Sequence, residues 1–269
     1  MLVAGTVGFA LASWLSPADL EHWGWRAAFL VGAAIVPVGL AMRRNLPETH
    51  PHGSVTGRRQ RPPLRLVLVG LGMVGAATSS AYVLDYTTTY AQDALKLAAG
   101  PAFFATVVIG AVSVVCDLTC GLLTDRVGRK PVMLTGVACF IVLAIPAYVA
   151  MNIWPTSAVV YGAAALIAAL VAFTANPGLI ALTEAMPKSV RSSAVGTIYA
   201  VAVATVGGTT QFMIKWLSGV THSPVAPGWY LTAILAMGAV AMWFAPETAP
   251  IKVGMASGDL AEEGGPKAG

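Results

Sequence analysis

The feature that most constrains this chain is its set of apolar runs, several reaching about 20 residues with almost no charge, set apart by charged or Pro- and Gly-bearing breaks. An α-helix of about 20 residues crosses a hydrocarbon layer of ~30 Å, and it satisfies its own backbone while doing so. Hydrophobic residues make up 57% of the chain and charged residues only 10%, with a mean hydropathy of +0.73. A water-facing surface cannot be built from that composition. The expectation is an all-helical integral membrane protein that crosses the bilayer repeatedly.

Matching apolar runs to charged breaks predicts eight segments, roughly 1–15, 26–42, 66–86, 100–124, 131–150, 157–183, 194–217 and 229–246. The first is the weakest, because fifteen residues rise only ~22 Å. It has no positive start of the kind a secretory signal carries, and Gly5 and Gly8 suit close helix packing instead. With both ends in the cytoplasm, only Arg26, Lys96 and Lys215 of the 16 Lys and Arg fall outside. That asymmetry is the positive-inside pattern, and it explains the net charge of +4 without nucleic acid as a partner.

Several chemistries are not expected. Cys116, Cys120 and Cys139 all lie in apolar runs, where small packing residues are the simplest reading. His50 and His52 sit in a charged break without carboxylate or cysteine company, and a solvated loop explains them. Neither a phosphate-binding glycine loop nor a Ser/His/Asp set can be assembled. The reading is no enzyme, no metal and no cofactor.

Two stretches repeat. Residues 24–49 read GWRAAFLVGAAIVPVGLAMRRNLPET, and residues 228–248 read GWYLTAILAMGAVAMWFAPET. Both open on Gly-Trp, contain Ala-Met and close on Pro-Glu-Thr, with Pro47 and Pro246 six spans apart. A six-helix period is what two parallel halves of a transporter give. The first half would then extend by some four helices ahead of the residues seen here.

The densest charge lies in GLLTDRVGRK, where Asp125, Arg126, Arg129 and Lys130 fall within six residues between two apolar runs. Gly121, Asp125, Arg126, Gly128, Arg129 and Lys130 match G-x-x-x-D-R-x-G-R-K/R, so the chain resembles the major facilitator superfamily. WGWRAAFLVG and RRNLPET narrow the resemblance to its metabolite:proton symporter family, whose members carry citrate, 2-oxoglutarate, shikimate and betaine-type osmolytes. The resemblance runs from the family's fifth helix through its twelfth. It implies a partial N-terminal bundle (1–49), a basic cytoplasmic linker (50–65), a complete six-helix C-terminal bundle (66–248) and a disordered cytoplasmic tail (249–269).

The resemblance also implies that Asp125, Glu184 and Arg191 form a charge network that latches one conformation and releases in the other. Plain anchoring of basic residues on the inner side is the competing account, and it leaves both acids unexplained. Asp117 lies ~12 Å deeper along the same helix. A carboxylate at that depth costs on the order of 3 kcal/mol. It is either a proton carrier or an acid bonded to Thr119, Thr124 or a neighbouring helix without titrating. Tyr82, Asp85, Tyr86 and Thr88 cluster near the outer end of the third segment as candidate substrate contacts. Asn176, before Pro177 and Gly178, marks an expected helix break where freed backbone could bind ligand. Gln211 and Lys215 share one face, and Lys215 either pairs with a carboxylate such as Asp85 or snorkels outward.

The function implied is proton-coupled symport of a small organic acid across the cell membrane, a bacterial inner membrane by resemblance. A non-transporting remnant and a sugar- or osmolyte-type porter are the alternatives. The expected partners are a small anionic metabolite, a proton, the lipid bilayer, and either preceding helices or another subunit to complete the cavity.

Overall fold

The computed structural model describes residues 1–45, 62–187, 189–249 and Lys252. The Pro-Glu-Thr at 47–49, His50, His52, Arg58, Arg59, Arg61, Lys188 and most of the expected tail lie outside the described residues. The described residues form a short helix and seven long rods. They are α1 (Leu2–Trp14), α2 (Leu20–Arg44), α3 (Leu64–Asp93), α4 (Ala99–Val127), α5 (Arg129–Ile153), α6 (Ser157–Ala185), α7 (Arg191–Thr221) and α8 (Ala226–Phe244). Seven are long and apolar enough to span a bilayer. The first of the eight expected segments is not, since 13 residues rise only ~20 Å.

Beside a smaller cluster between α3, α6 and α7, the antiparallel rods α3 to α8 pack around one main core. Tyr148, Phe140, Met133, Ile109, Ile167, Leu231 and Leu235 fill it, each at most 1% exposed. Small residues set the crossing distances. A Cβ on Gly238 would collide with that of Ala76, and one on Gly72 would come within 2.7 Å of Ala241, so α3 and α8 touch almost backbone to backbone. On the far side of each rod, large apolar side chains point outward; Leu118, Val142, Phe212 and Trp243 are all about two-thirds exposed. A bundle apolar both inside and outside is one whose solvent is lipid.

Helix ends follow local chemistry. Gly128 ends α4 and starts α5 in a single residue at φ +114°, a conformation that glycine adopts without a Cβ penalty. Thr156 caps α6 by accepting from the Val159 amide. Pro227 sits in the first turn of α8, where its missing N–H costs nothing. In α7 a wider π-turn over Val203–Gly207 interrupts the rod.

Two expectations are corrected here. Asn176-Pro177-Gly178 does not break a helix, because α6 runs unbroken through it. The third rod is also longer than expected: Arg65, assigned to the linker, lies in its first turn, and it continues to Asp93. The packing role of Gly5 and Gly8 is met, since α1 lies on α4 with Gly5 against the backbone of Thr106 and Val107 and Gly8 against the Phe103 ring. Within α2 only Gly24 is buried among the described residues.

Candidate functional site

At one end of the bundle the turn between α4 and α5 gathers six charged or polar side chains, Asp125, Arg129, Lys130, Glu184, Glu247 and Thr248, from four elements. Arg129, only 6% exposed, is the hub. Its guanidinium bonds the Asp125 carboxylate one turn earlier and, at 3.3 Å, Glu184 near the end of α6. Glu184 in turn accepts from the Thr248 hydroxyl at 2.6 Å. The Asp125 side chain is largely exposed and Glu184 partly so, so solvent screens both pairs, and their contribution is closer to that of surface ion pairs than of buried ones.

Glu247 completes the cluster by a different chemistry. One carboxylate oxygen accepts the Arg129, Thr248 and Ala249 amides at 2.9 to 3.0 Å, and the other accepts the Lys130 amide at 3.1 Å. Two of these are the first free N–H groups of α5, where the helix dipole also favours a negative charge. Burial works to raise the Glu247 carboxyl, but the four amide donors outweigh it and hold it below the ordinary glutamate range. A Cβ at position 128 would come within 2.9 Å of this carboxylate, so glycine is needed there for space as well as for its φ. Lys130 crosses the same gap to donate to the Trp243 carbonyl at 2.6 Å.

Of the residues expected in this network, the structure joins Asp125, Arg129, Lys130, Gly128 and Glu184. Arg126 is exposed and Gly121 lies a turn below. Arg191 is not part of the ion cluster; its Nε donates to the Met186 carbonyl and closes the α6–α7 turn. Glu247 and Thr248 were missed, although their Pro-Glu-Thr was the most visible repeat in the chain. Read only as the end of a helix, it gave no sign of which helix it caps.

Deeper in the bundle, Asp117 on α4 accepts from the Asn176 side chain on α6 at 2.7 Å. Of the partners weighed for a carboxyl that does not titrate, the neighbouring helix is the one present; the Thr119 and Thr124 hydroxyls return to carbonyls of their own helix. The pair lines a cavity of about 260 Å³ with Met73, Thr78, Ser113 and Tyr199. That is near the lower end of the ~300–1,000 Å³ usual for small-molecule sites, a size for a small metabolite. A second cavity shares Thr78, Ala81 and Tyr199 with the first and adds Tyr82 and Asp85. Tyr82 and Asp85 thus line one cavity and Asp117 and Asn176 another, with Thr78, Ala81 and Tyr199 common to both.

The other candidates lie elsewhere. Tyr86 is buried against Tyr90, whose hydroxyl donates to the Pro224 carbonyl and accepts from Asn152. Thr88 pairs with Thr106 at 2.6 Å and ties α3 to α4. Gln211 is exposed. Lys215 reaches Asp93 at 3.4 Å instead of Asp85, with both side chains well exposed at the far end of the bundle. Among the described residues no group of acids, histidines and cysteines could hold a metal ion.

Fold and site together define a polytopic α-helical membrane protein with a mostly apolar cavity into which a few polar side chains are set. Residues 1–209 match the family model of the Major Facilitator Superfamily, and the chain belongs to that family. The citrate-proton symporter of Klebsiella pneumoniae is 28% identical over 253 residues, 90% of this chain and 56% of that protein. The proline/betaine transporter of Escherichia coli K12 is also 28% identical, over 94% of this chain and 54% of its own length. The chain thus spans about half the length of the curated relatives it matches. In fold it is similar to a crystal structure of a D-xylose-proton symporter, with a TM-score of 0.68 and 20% identity over 92% of this chain and 61% of that one. The expected fold is therefore shown. The relatives' names agree with the metabolite:proton symporter resemblance.

Proposed function

We propose that this chain forms part of a secondary transporter that moves a small metabolite together with a proton, its bundle rocking about a mid-membrane site. The observation that carries the reading is the Asp117–Asn176 pair, an ionisable group and its amide partner lining a cavity where α4 and α6 meet. An intramembrane acid of this kind is costly unless it serves a pathway. The Asn176 amide donates to the Asp117 carboxylate and ties α6 to α4 at this point. The turn cluster of Asp125, Arg129 and Glu184 is the element whose bonds switch between conformations.

An organic acid is the first reading of the substrate, in keeping with the citrate-proton symporters among the relatives. Its coupling follows from charge: an anion can approach Asp117 only after that carboxylate is neutralised, so proton and substrate enter together. An ammonium-bearing osmolyte is the second reading. It is favoured by the described cavity lining, which offers Asp117, Asp85, Tyr82 and Tyr199 but no Lys or Arg. Ectoine/proline and proline/betaine transporters are also among the relatives.

Asp117→Asn separates these readings. Under the first, the variant still binds citrate or 2-oxoglutarate but loses accumulation driven by a pH gradient in vesicles. Under the second, binding of proline, whose ammonium has N–H groups to donate, falls at least tenfold, as expected when a charge-assisted hydrogen bond worth ~1.5–3 kcal/mol is removed. Unchanged gradient-driven uptake of every substrate would end the role given to Asp117.

A further inference from the structure

Beside the latch, and facing away from the substrate cavity, the same end of the bundle holds a second hollow that the transport reading does not use. It lies where the start of α3, the start of α5 and the end of α8 meet, and is lined by Arg65, Leu66, Lys130, Trp243, Phe244 and Glu247. We propose that this hollow binds the phosphate headgroup of an anionic phospholipid of the surrounding bilayer.

Charge is the first argument. Arg65 and Lys130 reach the hollow from two different rods, and among the described residues Arg65 makes no ion pair. Lys130 uses one of its three ammonium protons on the Trp243 carbonyl and keeps two for a ligand. Glu247 also lines the space, but its oxygens already accept four backbone amides, so its charge is answered by the α5 terminus. A guanidinium and an ammonium around one small opening suit a phosphodiester, which the guanidinium can hold through two parallel bonds.

The flanks are the second argument, and they favour a lipid over a free anion. Trp243 and Phe244 border the hollow and are more than half exposed. Tryptophan at this level is the side chain that sits at a bilayer's headgroup boundary. One turn into the membrane from it, Leu68 on α3 and Val240 on α8 are each 60% exposed, a surface for acyl chains and not for water. A site cationic at its mouth and apolar just below has the polarity of one diacyl lipid. Basic pockets between spanning helices are where such headgroups bind.

The test uses the full chain in detergent micelles with headgroup-labelled phosphatidylglycerol, phosphatidylcholine as the neutral comparison, and inorganic phosphate as competitor. Phosphatidylglycerol is expected to be retained in preference to phosphatidylcholine. Arg65→Gln should weaken it about fivefold, and the double variant with Lys130→Gln about thirtyfold, at roughly a fivefold loss per surface cation. Arg65→Lys should restore most of the binding, which separates charge loss from misfolding. Equal retention of the two lipids, indifference to both Gln variants, or displacement by phosphate at matched concentration would each overturn the assignment, the last in favour of a free anion.

Discussion

Glu247 shows how much of the charged turn rests on a single side chain. Its carboxyl is held below the ordinary range by amide donors that only the folded chain brings together. The stabilisation is therefore full above the ordinary glutamate value of about 4.3 and is lost as pH falls through the lowered folded value. Glu247→Gln keeps the size but turns a donor amide toward other donors, and should lower stability by about 1–2 kcal/mol at neutral pH, a melting shift of ~2–6 °C. Melting curves taken between neutral and strongly acidic pH should show the gap between wild type and variant closing as pH falls. A gap independent of pH would mean the carboxylate's charge is not what holds the turn. At this scale the sequence was partly readable. Motif spacing picks out Asp125 and Arg129 and the resemblance adds Glu184, but the acid that Lys215 meets depends on where two rods end. Asp85 and Asp93 lie about two turns apart on α3, and only the greater length of that rod brings Asp93 to the lysine.

Whole elements were easier to foresee than their interruptions. Apolar run length places every long rod, because a membrane span cannot be much shorter than the layer it crosses. The expected break at Pro177 fails for a related reason. Inside a bundle, neighbouring helices tolerate the one backbone bond a proline removes, so the rod continues. Proline leaves the Phe173 carbonyl, four residues earlier, without its helical donor, and that carbonyl presses on α5 at Gly136, where a Cβ would stand only 2.7 Å away. Gly136→Ala must push α5 and α6 apart and should cost ~1–3 kcal/mol. Gly162→Ala, on α6 where nothing lies within 4 Å, should be neutral or gain up to ~1 kcal/mol from helix propensity. Chemical denaturation of the two variants in micelles checks the contrast, and equal effects would mean the α5–α6 contact is looser than described. The two Gly-Trp starts also share a local design. Gly24 and Gly228 are both buried against a neighbour, while Trp25 and Trp229 are each about half exposed.

For the molecule as a whole, the question is which face of the bilayer the charged turn occupies. The antiparallel course of α3 to α8 requires that the turn at Gly128 and the loop at Lys96 lie on opposite sides, since α4 alone joins them and its 29 residues rise ~43 Å. That separation exceeds the ~30 Å hydrocarbon core, so neither loop can slip across it. From the distribution of basic residues we propose that the Gly128 side is cytoplasmic, because Arg126, Arg129, Lys130 and Arg191 all gather there while Lys96 and Lys215 stand at the other end. In a chain whose Cys116, Cys120 and Cys139 are replaced by alanine, Lys96→Cys should react with a membrane-impermeant maleimide on intact cells, and Arg126→Cys should react only after the membrane is opened. Both starting side chains are exposed, so failure to react reflects the side of the membrane and not burial. The reverse pattern would place the charged cluster and the headgroup hollow on the outer face, where the positive-inside argument gives no reason for so many cations to gather.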